Sequence, residues 1–192
     1  MNTEMYLKVD KYFKGNDIKG AVSELETMLS NQPGERFKYL IGNKFTNTPD
    51  SIVSSINQFT EFCDKTFDIK AIYLEMNGFD INFDRWYFDS FGYKECNIVE
   101  DDFEWLCDWE SEKWNGITLT GFESVQKDFE WYQKNRIWKQ KDQKEPYDLA
   151  VLLVMSKFVQ LVESAILTGK LKKKIPVLAT AHEFETIGIF KP

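Results

Sequence analysis

The chain has 192 residues, a formal net charge of −7 and a pI near 4.9. Because phosphate contacts need clustered lysine and arginine, this charge argues against a protein that binds duplex DNA or RNA. Hydrophobic residues make up 43% of the chain and aromatic residues 16%, which is enough for a large core and argues against disorder. We therefore expect one α+β domain over residues 1–192, with a mainly helical part over 1–65 and a sheet-containing part over 69–192.

Cysteine usage and apolar runs indicate a cytoplasmic protein that does not enter a membrane. The cysteines are three in number and lack close spacing, which favours reduced thiols over a disulfide framework or a zinc site. The N-terminus shows no basic region followed by an apolar run, so we expect no signal peptide. Charged and polar residues interrupt the most apolar segment, 149–167, which predicts a buried helix rather than a membrane span.

Three helices are predicted in the first third of the chain, over 3–14, 17–30 and about 50–64. Apolar residues recur there at helical spacing, and the third helix begins at the strong start signals Pro49 and Asp50. A strand is then predicted over 71–76.

The next segment has the pattern of a hairpin. Asn77-Gly78 is a strong signal for a tight turn, and apolar and polar residues alternate over 79–84, as in a half-buried strand. A further strand is predicted over 86–91, ending near Gly92. The remaining predicted elements are helices over 101–114, 122–141 and 147–168 and strands over 117–120, 175–181 and 186–190. Together they predict an antiparallel sheet, built from the central hairpin and the C-terminal strands and packed against several helices.

The segment 101–114 holds three tryptophans among six carboxylates. As a helix it would carry an acidic stripe with tryptophans on its flank. The leading hypothesis is a non-enzymatic interaction module that binds a basic protein partner through this surface. Small acidic inhibitor or immunity proteins, which neutralise basic nuclease-like toxins, share this composition, although no motif supports the comparison. The partner-binding residues would be Asp101, Glu104, Trp105, Asp108, Trp109 and Glu112.

A second interpretation is that the acidic stripe contacts another helix of the same molecule. On the predicted helix 122–141, Lys127, Lys134 and Lys141 run beside Trp131 and Trp138. The simplest role for this basic face is to pack on the acidic helix. A weaker alternative is that the tryptophans stack the bases of single-stranded nucleic acid.

The alternative function is a small enzyme or ligand-binding protein with a polar cleft beside the sheet. Such a protein would have a deep pocket with convergent polar groups. The candidate residues are Glu75, Asp84, Asp89, His182 and Glu185.

The sequence predicts neither a metal nor a cofactor. The run 80–84 resembles the start of a calcium-binding EF-hand loop, but Arg85 and Phe91 replace the glycine and glutamate that such a loop requires. His182 is the one histidine, and on an extended strand it would face away from Glu183 and Glu185, so a structural or surface role is expected. The sequence contains no P-loop, no GxGxxG motif, no GxSxG motif and no HExxH motif.

Overall fold

The fold is that of a computed structural model, which describes residues 3–98, 102–114 and 116–192, except the side chains of residues 3, 4, 141 and 142. In this part of the chain it is α+β, with five α-helices and a five-stranded sheet. In chain order the elements are α1 (Thr3–Lys14), α2 (Ile18–Ser30), α3 (Pro49–Cys63), β1 (Ala71–Met76), β2 (Tyr87–Tyr93), β3 (Ile117–Thr118), α4 (Glu123–Lys134), α5 (Lys141–Ile166), β4 (Val177–Ala181) and β5 (Gly188–Phe190).

The sheet is mixed, so the prediction of a purely antiparallel sheet is wrong. Its strand order is β3-β2-β1-β4-β5. β1 pairs antiparallel with β2 and parallel with β4, so that Ile72 lies beside Gly92 on one side and Val177 on the other. The parallel pair arises because the long chain between β2 and β4, which includes α5, returns to the end of the sheet where β1 begins.

One face of the sheet is covered by helices and forms the main core. Ile72, Leu74 and Met76 of β1 are fully buried on this face. α5 packs across it, and the prediction of a central buried helix is confirmed. α5 is also long and apolar enough to cross a membrane by composition, but 83% of its most apolar stretch is buried inside the fold.

The other face of the sheet, called the open face below, is covered only in part. Its small cluster consists of Ala71, Tyr73, Tyr93, Leu106 and Leu178, and half-buried aromatic residues pack against that cluster. Because successive strand side chains alternate between faces, Tyr73 and Glu75 of β1 both lie here. The open face therefore combines apolar and polar side chains.

The three N-terminal helices agree with prediction, and their start signals act as expected. The Asp17 carboxylate accepts a hydrogen bond from the Gly20 amide at 2.8 Å, which caps α2. The Thr48 hydroxyl accepts one from the Ser51 amide at 3.2 Å, and Pro49 occupies the first turn of α3.

The predicted tight hairpin at Asn77-Gly78 is wrong. A tight turn of the preferred type needs positive φ at both central residues, and neither residue adopts it. Instead, Asn77 closes the base of a loop, since its side-chain oxygen accepts from the Tyr87 amide at 3.0 Å and its side-chain nitrogen donates to the Arg85 carbonyl at 3.3 Å. Residues 79–84 form turns rather than a strand, and β2 continues through Gly92 to Tyr93.

The predicted acidic helix over 101–114 is also wrong. The described part forms one short 3-10 turn, Glu104–Cys107, followed by irregular chain that is hydrogen bonded to β2. The four-residue spacing of the carboxylates therefore does not bring them onto one helical face.

The predicted helix over 122–141 is divided. α4 ends at Lys134, and Arg136 adopts a left-handed conformation with φ of 55°. A short 3-10 turn, Ile137–Lys139, then leads to α5, which begins at Lys141, earlier than predicted. Trp131 and Trp138 therefore do not share a helix, and the proposed tryptophan–lysine face does not exist.

Candidate binding cleft

A cleft of about 830 Å³ lies on the open face of the sheet. α1 forms one wall, residues 103–109 form another, and the chain after β4 contributes the end. Its lining is rich in aromatic residues and carboxylates, and comprises Tyr6, Leu7, Asp10, Lys14, Tyr73, Glu75, Phe91, Phe103, Glu104, Leu106, Cys107, Trp109, His182, Phe184, Glu185 and Ile187. This volume is in the range of about 300–1,000 Å³ that is typical of ligand sites.

The lining contains a row of side chains in contact with one another, which come from β1, β2 and the segment 103–109. The Tyr73 ring stacks on Phe91 with centroids 5.8 Å apart, and Phe91 in turn contacts the Trp109 ring at 5.0 Å. The Tyr73 hydroxyl donates to Glu75 Oε2 at 2.8 Å. Burial raises the pKa of the Tyr73 phenol, and the charge of Glu75 raises it further. Tyr73 therefore remains a neutral hydrogen-bond donor that orients the Glu75 carboxylate.

His182 joins this row from the end of β4. Its backbone amide donates to the Met76 carbonyl at 2.8 Å, and its Nδ1 lies 3.0 Å from Glu75 Oε1. When Nδ1 carries the proton, it donates a hydrogen bond to Glu75 Oε1, and Nε2 is then free to act as a hydrogen-bond acceptor or a base. His182 thus faces a carboxylate 107 positions away in sequence, rather than one of its sequence neighbours.

The segment 103–111, which includes the wall over 103–109, is fixed to β2 by hydrogen bonds. The Tyr93 hydroxyl donates to the Leu106 carbonyl at 2.8 Å, and the Gly92 amide donates to the Ser111 hydroxyl at 3.0 Å. The Trp105 ring packs edge-on against Tyr93 at 4.9 Å. These contacts hold an otherwise irregular segment at the cleft.

The charge of the cleft is mainly negative. Of its described lining residues, four carry carboxylates and one, Lys14, is a lysine, which lies 3.3 Å from Asp10. Among the described residues, no ion pair reaches the exposed carboxylates of Glu104 and Glu185. Burial raises the pKa of the nearby Tyr6 phenol, and the carboxylates of Glu185 and Asp10 also raise it. A cationic ligand would therefore match this cleft better than an anionic one.

The predicted partner-binding residues are only partly brought together. Glu104 and Trp109 line the cleft, and Trp109 is 50% exposed. Trp105 is half-buried against Tyr93, and its indole nitrogen has no hydrogen-bond partner among the described residues. Asp108 and Glu112 are exposed outside the cleft lining. Asp101 lies outside the described residues.

Three of the five alternative ligand-binding residues meet in the same cleft, namely Glu75, His182 and Glu185. Asp89 lies opposite Glu75 in the β1–β2 register but does not line the cleft. Burial raises the pKa of Asp89, Lys113 lowers it and Glu75 raises it. Asp84 lies apart, in a shallow depression beside α4.

The predicted contact between the acidic segment and the lysines is absent from the part of the chain that the structure describes. Lys134 pairs with Glu130 at 2.6 Å, and Lys127 lines the depression beside α4. The Lys141 side chain is not among those that the structure describes. Trp131 stacks under Arg36, while Trp138 is 48% exposed.

Over residues 3–98, 102–114 and 116–192, no group of three or more histidine, cysteine or acidic residues is arranged to hold a metal ion. Asp80, at the start of the calcium-like run, accepts a hydrogen bond from the Tyr147 hydroxyl at 2.8 Å. The run therefore belongs to a turn that is tied to α5.

Several cleft residues were not predicted from the sequence. Tyr73 could have been, because it lies two positions before Glu75 on a strand and must share its face. Tyr6 and Asp10 could not, since nothing local indicates that α1 borders the open face. Cys107 could not be predicted as a cleft residue either, because its exposure depends on the irregular chain around it.

Comparisons of this chain with known protein families, with curated proteins and with solved structures found no match.

Proposed function

We propose that this protein is a cytoplasmic, non-enzymatic interaction module that binds a basic protein partner in the cleft of the open face. The observation that carries the proposal is the combination of Glu104 and Glu185 with an aromatic lining that includes the half-exposed Trp109. Neither a metal nor a cofactor is part of the proposal. An inhibitor or immunity-type role, in which the protein neutralises a basic toxin, is the form of this function that the composition favours.

The proposed binding has two physical components. The net charge of −7 attracts a basic surface over distances comparable to the Debye length, which speeds association and makes it sensitive to salt. Tryptophan and tyrosine then supply a large apolar contact at a small cost in side-chain entropy, as they do in interaction hot spots. The hydrogen bonds that fix residues 103–111 to β2 reduce the entropy cost of ordering this segment on binding.

The proposal is tested with a defined basic probe, an acetylated and amidated heptapeptide that alternates glycine with lysine, titrated calorimetrically. Glu104→Gln/Glu185→Gln should weaken its binding about tenfold or more, because each lost charge-assisted contact is worth about 1 kcal/mol. The matched control is Glu35→Gln/Asp84→Asn, which removes two exposed carboxylates outside the cleft. Equal weakening by both double variants would show that net charge, rather than the cleft, binds the peptide and would contradict the proposal.

One observation favours a second candidate function, a ligand-binding or enzymatic cleft. The hydrogen-bonded row Tyr73–Glu75–His182 resembles the carboxylate-oriented histidine of general-base catalysis. A simple test is the hydrolysis of 4-nitrophenyl acetate by the protein and by His182→Gln and Glu75→Gln. If Glu75 orients His182 as a general base, both variants should hydrolyse the ester no faster than the uncatalysed background. Identical rates in all three proteins would count against this candidate.

A further inference from the structure

Elsewhere in the fold, the arginine Arg36 shows how an aromatic and an acidic residue of this protein bind a guanidinium. The Arg36 Cζ lies 3.8 Å from the centroid of the Trp131 ring, and Arg36 Nη1 lies 2.7 Å from Asp128 Oδ1. The guanidinium therefore stacks on an indole and pairs with a carboxylate at the same time. Both contacts suit a planar, weakly hydrated cation with several donors.

The cleft on the open face contains the same two components. Trp109 is 50% exposed although its ring also contacts the Phe91 ring, and the carboxylates of Glu104 and Glu185 line the same cleft. Among the described residues, no cation lies over the Trp109 ring and no ion pair reaches either glutamate. Within the described part of the chain, the cleft thus presents an indole and carboxylates without a guanidinium.

We infer that the partner inserts an arginine side chain into this cleft, where the guanidinium stacks on Trp109 and pairs with the carboxylates of Glu104 and Glu185. This inference rests on the proposed function, because it names the group that the basic partner supplies. Lysine would satisfy the charge but not the geometry, since its ammonium is a strongly hydrated point charge without a planar face. The cleft of about 830 Å³ also exceeds what one side chain needs, so residues that flank the arginine enter with it.

Three acetylated and amidated heptapeptides separate the contribution of charge from that of the planar guanidinium. In the first, glycine alternates with arginine, in the second with lysine, and in the third with citrulline, the neutral analogue of arginine. We expect the arginine peptide to bind about tenfold more tightly than the lysine peptide, and the citrulline peptide to bind more weakly than both. Free arginine amide is the fourth ligand, and it should bind more weakly than the arginine peptide because it lacks the flanking residues.

Variants of Trp109 test the stacking. Trp109→Leu should weaken the arginine peptide more than the lysine peptide and so remove the preference for arginine, because the carboxylates that both peptides use remain while the ring that favours the guanidinium is lost. Trp109→Phe should retain part of the preference. The matched control is Trp138→Leu, which removes an indole that is 48% exposed but lies outside the cleft, and it should change nothing. Circular dichroism and the thermal midpoint establish that each variant is folded.

The outcomes distinguish the two proposals. Equal binding of the arginine and lysine peptides, with citrulline weaker, would overturn the arginine inference and leave the proposed function in place. Equal binding of all three peptides, or binding that is unaffected by Glu104→Gln/Glu185→Gln, would overturn both. If arginine amide bound as tightly as the peptide, the occupant would be a free small molecule, and a partner's side chain would be excluded.

Discussion

The two faces of the sheet differ in what covers them and in what their side chains do. On the helix-covered face, Phe88 and the residues of β1 that share its side are fully or almost fully buried. On the open face, the same strands present Glu75, Asp89 and Phe91, which are only half-buried. Because a strand alternates its side chains, one stretch of sequence can contribute to stability through one face and to binding through the other. Substitutions on the two faces should therefore have separable effects.

Truncation of the core should have the largest effect on stability. Phe158 of α5 is fully buried and contacts Phe88 at 5.4 Å between ring centroids. Phe158→Ala should lower the free energy of unfolding by about 3–5 kcal/mol because it removes apolar contacts and leaves a cavity. Trp109→Ala on the open face should lower it by less than about 1 kcal/mol, since half of the ring is already in water. Urea denaturation measures both, and similar losses would contradict the distinction between the faces.

The buried ion pair on the helix side should have the next largest effect. Lys157 is 3% exposed, and its Nζ lies 2.5 Å from Glu26 Oε1 and 2.7 Å from the Asn43 carbonyl. Glu26→Gln leaves this ammonium buried without its counter-charge, which should cost about 3 kcal/mol of unfolding free energy. The exposed pair between Lys172 and Glu61 is the control, and Glu61→Gln should cost only about 0–1 kcal/mol. A loss below about 1 kcal/mol for Glu26→Gln would show that the ammonium is solvated after all.

Mildly alkaline pH, only just above the ordinary pKa of a thiol, should give a smaller effect through Cys63, which is buried in the main core. Burial raises the pKa of this thiol from 9.0 to about 12. The unfolded chain therefore loses this proton at lower pH than the folded chain, and the stability from the neutral thiol is present below about pH 9 and is lost as pH rises towards 12. Between these values, unfolding free energy should fall more steeply for the parent than for Cys63→Ala. Parallel pH profiles would contradict the raised pKa.

The sequence predicted the elements whose signals are local. Helices α1 to α3 follow from apolar spacing and from caps such as Asp17, and β1 follows from a short apolar run. The acidic helix was wrong because Gly92 and Tyr93 hold that segment through hydrogen bonds that no local pattern encodes. The division of helix 122–141 at Arg136 was likewise not predicted, because the segment contains no glycine or proline that would signal a helix end.

The cleft was predictable in its residue types but not in its assembly. Glu104 and Trp109 were chosen for one hypothesis and Glu75, His182 and Glu185 for another, yet all five line one cleft. The contact between His182 and Glu75 depends on the parallel pairing of β1 with β4, which is a non-local feature. Composition therefore indicated an acidic aromatic surface, while only the topology shows where it lies.

The most direct test of the central claim is to locate the arginine peptide on the protein by nuclear magnetic resonance. The six tryptophan indole N–H resonances of the chain can each be assigned by a Trp→Phe variant. We expect the peptide to shift the Trp109 resonance most strongly and to leave two resonances unchanged, those of Trp86, which is buried in the main core, and of Trp138, which lies outside the cleft. Shifts that centre on Trp131 or Trp138, with Trp109 unaffected, would contradict the assignment of binding to the open face.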